Sequence, residues 1–393
     1  MKNYKGIKIE IKPTAEQIEK INRTIGTGRF LYNFYIAYNK EIYEKEKRFV
    51  TGFEFSKYIN NIFIKENPDK SWIKDVSSKS NKQAIMNSEK AFKRFFNKIS
   101  SFPKFKKKSH NNQKCYFFKN NKTDFEFYRH KIKIPTLKFV RLKEYGYIPK
   151  NTNIKSATIS KEGDRYFLSL ILEIKKEIEK NSIQKNLQTK EGIGIDLGIK
   201  DFAICSDGQV FKNINKTLKV RKIEKKLKRE QRKKSRKYLS CKKMEKNLYE
   251  CKNFQKQKLV IAKLFFKLNC IRNDYINKVV NMLTKTKLKY ITIEDLKVSN
   301  MIKNKHLSKA ISQQKFYEFR TKLLNKCKEN NIELRIVSTF YPSSKLCSNC
   351  GHKKQDLKLK DRIYKCSCCG IEMDRDFNAS LNLKNAENYK ILA

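Results

Sequence analysis

Two cysteine pairs near the C-terminus constrain the fold of this chain more than any other feature. Cys347-Ser-Asn-Cys350 and Cys366-Ser-Cys-Cys369 repeat a C-x2-C spacing, with fifteen residues between the pairs. Four thiolates at this spacing suit one tetrahedral structural zinc ion. Gly351 and Gly370 follow the pairs and suit the tight turns that bring backbone close to a metal. So short a segment has almost no core, so metal binding itself supplies its folding energy. An iron–sulfur cluster or four unrelated thiols are the competing readings. Cys368 falls outside the repeated spacing. It joins Cys115, Cys205, Cys241, Cys251, Cys270 and Cys327 as a plain thiol of a reducing compartment.

Soon after the second pair the chain reads Asp374-Arg375-Asp376, which suggests a different metal chemistry. Two further acids stand at comparable places. Asp196 ends the apolar run "IGIDLG", and Glu294 ends "YITIED". By strand alternation their same-face neighbours are Gly194 and Thr292, small residues that would leave room for ions and a bulky polymer. Asp376 falls in the first turn of a last helix. Three carboxylates from separated segments can hold two divalent ions roughly 3.5–4 Å apart, the arrangement of in-line phosphodiester hydrolysis. Mg2+ or Mn2+ suits such oxygen ligands. Each acid taken singly is more often a turn residue or a salt-bridge partner. Asp374 reads as a helix N-cap, and Asp207 and Asp295 as turn acids. The four histidines form no cluster. No G-x-x-x-x-G-K-[ST] run is present, which argues against ATP as a partner, and "GIGIDLG" continues as strand rather than opening a helix.

Charge points to the partner. Lys and Arg number 91 against 39 Asp and Glu, a formal charge of +52 that calls for a polyanion. The 26 Phe and 19 Tyr supply faces on which bases can stack. Two stretches concentrate these features. The Pro-broken loop "SFPKFKKKSH" interleaves Phe102 and Phe105 with Lys104, Lys106, Lys107 and Lys108. Residues 215–238 carry 13 Lys/Arg and two acids, and Arg221, Lys225, Lys228, Arg229 and Arg232 are the nucleic-acid candidates there. A solvated charged face is the plain alternative. The longest apolar run, "FLSLILEI", is strand-sized, so no membrane is expected as a partner. The N-terminus has no apolar signal core, and a cytoplasmic location is expected.

A chain of 393 residues suggests two to four domains. Residues 5–12 alternate as a strand, and Thr14 with Gln17 then opens a helical run by a capping box. Helical pattern continues to about Phe96, and from about Thr123 to Ile174 the period changes to that of strands. The resulting organisation is a β module of 1–13 and 123–187 with a helical insertion at 14–122. Residues 188–340 follow as mixed strands and helices, with a basic helical region at 214–285. The cysteine segment at 341–371 and a final helix at 372–393 complete the chain.

On the passages "FYPSSKLCSNCG" to "YKCSCCGIEMDRDFNASLNL", "GIDLGIKDFA", "ITIEDLKVSNM", "KAFKRFF" with "FPKFKKK", and "IKPTAEQIEKINRTIGTGRFLYNF", the chain resembles the TnpB (OrfB) family of bacterial insertion sequences. Small type V CRISPR effector nucleases are relatives of that family. The resemblance implies a multidomain α+β and α/β protein. It would hold an oligonucleotide-binding-type β-barrel with a helical recognition insertion, then a RuvC nuclease domain of RNase H fold with an inserted zinc ribbon. It implies Asp196, Glu294 and Asp376 as the metal-binding acids, and selects Asp376 over Asp374 because the third acid stands two residues before the Asn. The implied activity is cleavage of double-stranded target DNA directed by a guide RNA. Ser380 stands where Ala is more usual. A catalytically silent RNA-guided DNA-binding protein, a cut-and-paste transposase and a zinc-ribbon RNA-binding protein are the alternatives.

Overall fold

A computed structural model describes residues 3–108, 113–118, 123–150, 152–174, 191–286, 288–358 and 360–392. It divides into two compact units, 1–181 and 182–393. The boundary expected at 187/188 lies outside the described residues.

The first unit opens with β1 (Asn3–Lys12) and α1 (Ala15–Glu46). The Thr14 hydroxyl accepts from the Gln17 amide while the Gln17 side chain accepts from the Thr14 amide, so the capping box forms as expected. The helical insertion continues as α2 (Gly52–Tyr58), a π turn, α3 (Ile64–Glu66), a 3-10 segment over Pro68–Asp75, and α4 (Ser78–Phe96). Its core is aromatic: Tyr35, Phe55 and Phe92 are buried together with Ile85 and Leu31. Five strands follow: β2 (Gln113–Phe118), β3 (Lys131–Ile134), β4 (Lys138–Leu142), β5 (Asn153–Glu162) and β6 (Arg165–Ile174). They form one antiparallel sheet in the order β2-β5-β6-β1-β4-β3. The sheet therefore claims a strand from inside the stretch assigned to the helical insertion. Cys115 and Phe117 of β2 alternate into the sheet core, and all six residues pair with β5. Polar Asn/Lys flanks hide that short alternation in the sequence.

The second unit starts with the meander β7 (Ile193–Leu197), β8 (Asp201–Cys205) and β9 (Val210–Lys212), closed by the expected Asp207-Gly208 turn with Gly208 at φ +86°. The basic region forms an antiparallel helix pair, α5 (Leu218–Lys243) and α6 (Lys252–Lys285). Then come β10 (Tyr290–Glu294), α7 (Val298–Met301), α8 (Ser308–Gln314), α9 (Phe316–Asn330) and β11 (Glu333–Val337). The cysteine segment contributes the ribbon β12 (Ile363–Lys365) and β13 (Glu372–Asp374). It is followed by α10 (Arg375–Lys384) and β14 (Tyr389–Ile391). The main sheet runs β14-β11-β10-β7-β8-β9, with β10 parallel to both β7 and β11.

Apolar residues of α6 and α9, among them Val279, Leu283, Phe316 and Phe319, join Ile195, Phe202 and Ile293 of the sheet in one core. The other face is covered by α10, which packs on β7, β8 and β10. The expected final helix is shorter than its sequence pattern. It stops at Lys384, and the chain returns as an antiparallel strand on β11. The Arg335 guanidinium lies 3.6 Å from the Tyr290 ring and 4.3 Å from the Tyr389 ring, and this stack helps hold the last strand.

Candidate active site and metal centre

Asp196 and Glu294 stand at the C-terminal ends of neighbouring parallel strands. The register pairs Gly194 with Thr292 and Ile195 with Ile293, which brings the two acids level. Helix α10 crosses the same face so closely that a Cβ on Gly194 would meet the Ser380 carbonyl at 2.1 Å and the Lys384 amide at 2.3 Å. This corrects the expectation that small residues beside the acids leave space for ions and polymer. The space at Gly194 belongs to α10, and the close approach carries Asp376 to the strand ends. Asp374 caps the helix as expected, its Oδ1 accepting from the Asp376 and Phe377 amides at 2.9 and 3.0 Å. Ser380 is buried, and its hydroxyl donates to the Phe377 carbonyl at 2.7 Å.

The three carboxylates share one electrostatic environment. Burial pushes Asp196 up to about 8, and the charges of Glu294 and Asp376 push in the same direction while Arg375 opposes them. Burial also raises Glu294, opposed by a hydrogen bond from the Ser343 hydroxyl. Asp376 is held by Arg375 at 3.0 Å and faces Arg362 at 3.7 Å. Among the described residues the three acids are not drawn within 4.8 Å of one another, as the four thiols are. Burial first, and the neighbouring acids second, disfavour the charge on Asp196, and an all-oxygen donor set suits hard dications there. Asp295 does not join the cluster. It binds Arg320 and Lys297, as a turn acid would.

The four thiols of Cys347, Cys350, Cys366 and Cys369 lie within 4.8 Å of one another. Cys347 Sγ is 3.6 Å from Cys369 Sγ, and Cys350 Sγ is 3.6 Å from Cys366 Sγ. A tetrahedron of Zn–S bonds of about 2.3 Å has edges of about 3.8 Å, so the donors fit a zinc-sized ion. The two pairs are built alike. Gly351 and Gly370 both take φ +73°, and their amides donate to Cys347 O at 2.9 Å and Cys366 O at 3.2 Å. The Ile371 amide holds the Cys369 thiol down, to about 6. Cys368 stands outside the group, as its spacing suggested.

Sequence reasoning missed what joins the two centres. Asn378 of α10 donates to the Leu346 carbonyl at 2.6 Å and accepts from the Ser348 amide at 3.0 Å, inside the first cysteine turn. One helical turn on, Asn382 donates to the Leu346 and Ser343 carbonyls, both at 2.7 Å. Ser343 in turn donates to the Glu294 carboxylate. Asn378, Asn382 and Ser343 are all buried. Two asparagines four residues apart in "FNASLNL" are the signal, since a buried helix face rarely carries polar side chains without partners.

The basic candidates divide by role. Lys106 is anchored: its Nζ lies 3.6 Å from the Tyr32 ring centroid, and its backbone exchanges two hydrogen bonds with Asn33 at 2.7 and 3.0 Å. Phe102 packs edge-on against Phe92 and Phe95, and Pro103 is buried. These contacts leave Lys104, Phe105, Lys107 and Lys108 exposed. On α5, Arg221, Lys225, Lys228, Arg229 and Arg232 are exposed, while Val220 and Leu227 pack on Ile261 and Leu268 of α6. Lys225, Lys228, Arg229 and Arg232 line one open depression.

Comparison with known proteins agrees with this layout. Three family models match successive parts of the chain. A "Helix-turn-helix domain" model of OrfB proteins covers 1–48, an OrfB "Probable transposase" model covers 172–305, and a "Cas12f1-like, TNB domain" model covers 316–383. Over these stretches the chain is similar to OrfB and Cas12f1-like proteins. Over 1–48 it forms β1 and one uninterrupted helix, α1, rather than two helices about a turn. It is 28% identical to the "Putative RNA-guided DNA endonuclease InsQ" of Escherichia coli K12, over 100% of this chain and 94% of the relative. It is 27% identical to a Streptomyces pristinaespiralis protein also named as an RNA-guided DNA endonuclease, over 96% and 88%. Its fold is similar to the Cas12f1 chain of a cryo-EM complex with sgRNA and target DNA. That match has TM-score 0.57 and 15% identity, and covers 99% of this chain and 100% of the other.

Proposed function

We propose that this protein is an RNA-guided DNA endonuclease that hydrolyses phosphodiester bonds in double-stranded DNA matched by a bound guide RNA. The observation that carries the reading is the convergence of Asp196, Glu294 and Asp376. Two neighbouring parallel strand ends and the first turn of a helix supply three acids, and the charges of Glu294 and Asp376 add to the burial that raises Asp196. The full-length relatives named as RNA-guided DNA endonucleases support the substrate and the guide.

The strand order β9-β8-β7-β10-β11, an antiparallel meander continued by parallel strands, supports an RNase H-like RuvC domain for 188–340 with 372–393. Residues 341–371 are its zinc ribbon. The six-stranded sheet of the first unit, β2 included, supports an oligonucleotide-binding-type β-barrel carrying a helical insertion between β1 and β2. Asp196, Glu294 and Asp376 would hold Mg2+ or Mn2+. When bound, such ions activate water and stabilise the leaving oxygen. The chain's own residues have separate tasks: Ser343 orients Glu294, the Asp374 cap orients α10, and Arg375 and Arg362 hold Asp376. The exposed cations of α5 and of the loop at 104–108 bind phosphates of RNA and DNA, so binding falls steeply with salt.

The test is plasmid cleavage by the protein carrying its co-purified RNA, on matched and unmatched targets with Mg2+. Asp196→Ala retains RNA and matched DNA but does not cut, whereas Asp374→Asn cuts at close to the wild-type rate. Cleavage without RNA, or by Asp196→Ala, refutes the proposal. Binding without cleavage by the wild type indicates a silent RNA-guided DNA-binding protein.

A further inference from the structure

Phe340 is the most exposed large apolar side chain among the described residues, with 93% of its surface open. One exposed aromatic is ordinary in itself. The holding of its backbone is not. Phe340 tips a turn between β11 and the first cysteine pair. On one side Thr339 Oγ1 donates to the Asp295 carbonyl at 2.8 Å, and the Asp295 amide donates to the Val337 carbonyl at 3.0 Å. On the other side Ser343 donates to the Glu294 carboxylate. Within the turn, the Phe340 amide donates to Ser338 Oγ at 3.3 Å and the Tyr341 amide to Ser338 O at 3.0 Å. Both arms of the turn are thus tied to residues 294 and 295, and its tip carries a ring for which the described residues provide no aromatic or cationic partner.

The surroundings say what such a ring would meet. Lys297 and Arg320 converge on Asp295 beside Glu294, so cations stand next to the acid cluster. Tyr317, 70% exposed, lies one turn before Arg320 on α9. An aromatic face fixed by backbone hydrogen bonds loses little entropy when a flat group stacks on it. A base is such a group. We infer that Phe340 is a stacking platform for one unpaired base of the nucleic-acid strand held at the acid cluster. The base must be unpaired because a duplex base keeps its faces against its neighbours. The inference rests on the nuclease reading for the identity of the strand.

The experiment uses the full chain with its co-purified RNA, Ca2+ in place of Mg2+ to allow binding without cutting, and single-stranded DNA probes carrying 2-aminopurine at successive positions. Wild type changes the emission at one position. Phe340→Ala removes that change and weakens binding about 10-fold, while Phe340→Trp restores both. An abasic site at that position weakens wild type but adds nothing to Phe340→Ala. Unchanged affinity and emission in Phe340→Ala overturn the inference. So does full rescue by Phe340→Leu, which would mark an apolar contact such as a protein partner's side chain. If wild type fails to cut matched plasmid with Mg2+, the nuclease reading falls, and the emission measurement still decides whether Phe340 stacks a base.

Discussion

The raised Asp196 carboxyl makes a quantitative prediction about the protein without divalent ions at the acid cluster. Its value moves from an ordinary 3.8 to about 8 in the folded chain. Because the folded value lies above the unfolded one, the folded state binds the proton more tightly. The stability from this group is complete below about pH 4, falls as pH rises, and is lost above about pH 8. The slope approaches about 1.4 kcal/mol per pH unit, and the whole effect has a ceiling of about 6 kcal/mol. Asp196→Asn, a neutral shape-mimic, removes this slope. Wild type and variant therefore match at about pH 4 and below and diverge upward, with the variant's advantage complete above about pH 8. Mg2+ reverses the order at high pH, because a bound cation stabilises the ionised wild-type cluster. The assay is calorimetric unfolding of zinc-loaded protein in Mg2+-free buffer without chelator, which spares the ribbon. Parallel pH profiles for the two proteins, or equal stabilisation of both by Mg2+, would refute the argument.

Three further outcomes are expected. Metal analysis finds one zinc per chain, lost in Cys347→Ser with Cys366→Ser and retained in Cys368→Ser. Gly194→Ala places its Cβ 2.1 Å from backbone of α10 and destabilises the second unit by about 3 kcal/mol or more; Gly6→Ala, which meets nothing within 4 Å, is the neutral control in the same unfolding assay. Asn378→Ala leaves the Ser348 amide without its acceptor and the Leu346 carbonyl with Asn382 alone, costs about 1–3 kcal/mol, and lowers cleavage while zinc content stays at one per chain.

What could be read from the sequence was what local chemistry encodes. The capping box at Thr14, the Asp207-Gly208 turn, the N-cap at Asp374 and the paired cysteine turns each depend on residues within a few positions, and all four form. The strand ends bearing Asp196 and Glu294 were legible because their apolar runs end abruptly. Elements that depend on a distant partner were not. β2 is a strand only because β5 pairs with it, and β14 leaves the helical pattern because β11 and Arg335 hold it. Gly194 was correctly placed on the face of Asp196 but given the wrong occupant, since nothing nearby in sequence announces that α10 will lie across it.

That misreading bears on why a zinc-type cysteine cluster stands so close to an acid of another metal chemistry. α10 can touch Gly194 at backbone distance only if its roll and height are fixed, and a ten-residue helix does not fix them by itself. The cysteine segment lies immediately before α10 and contacts it through Asn378 and Asn382, which bond to backbone in and beside the first cysteine turn. The same stretch supplies Ser343 to Glu294. The cysteine segment, whose four thiols are gathered as a metal would require, therefore acts as a splint between β11 and α10, bracing two of the three acids from one side. The third, Asp196, lies on β7, which is paired with β10 on one edge and β8 on the other. On this view the short distance in sequence between Cys369 and Asp376 is a mechanical requirement: a longer connection would let the splint fold without fixing the helix.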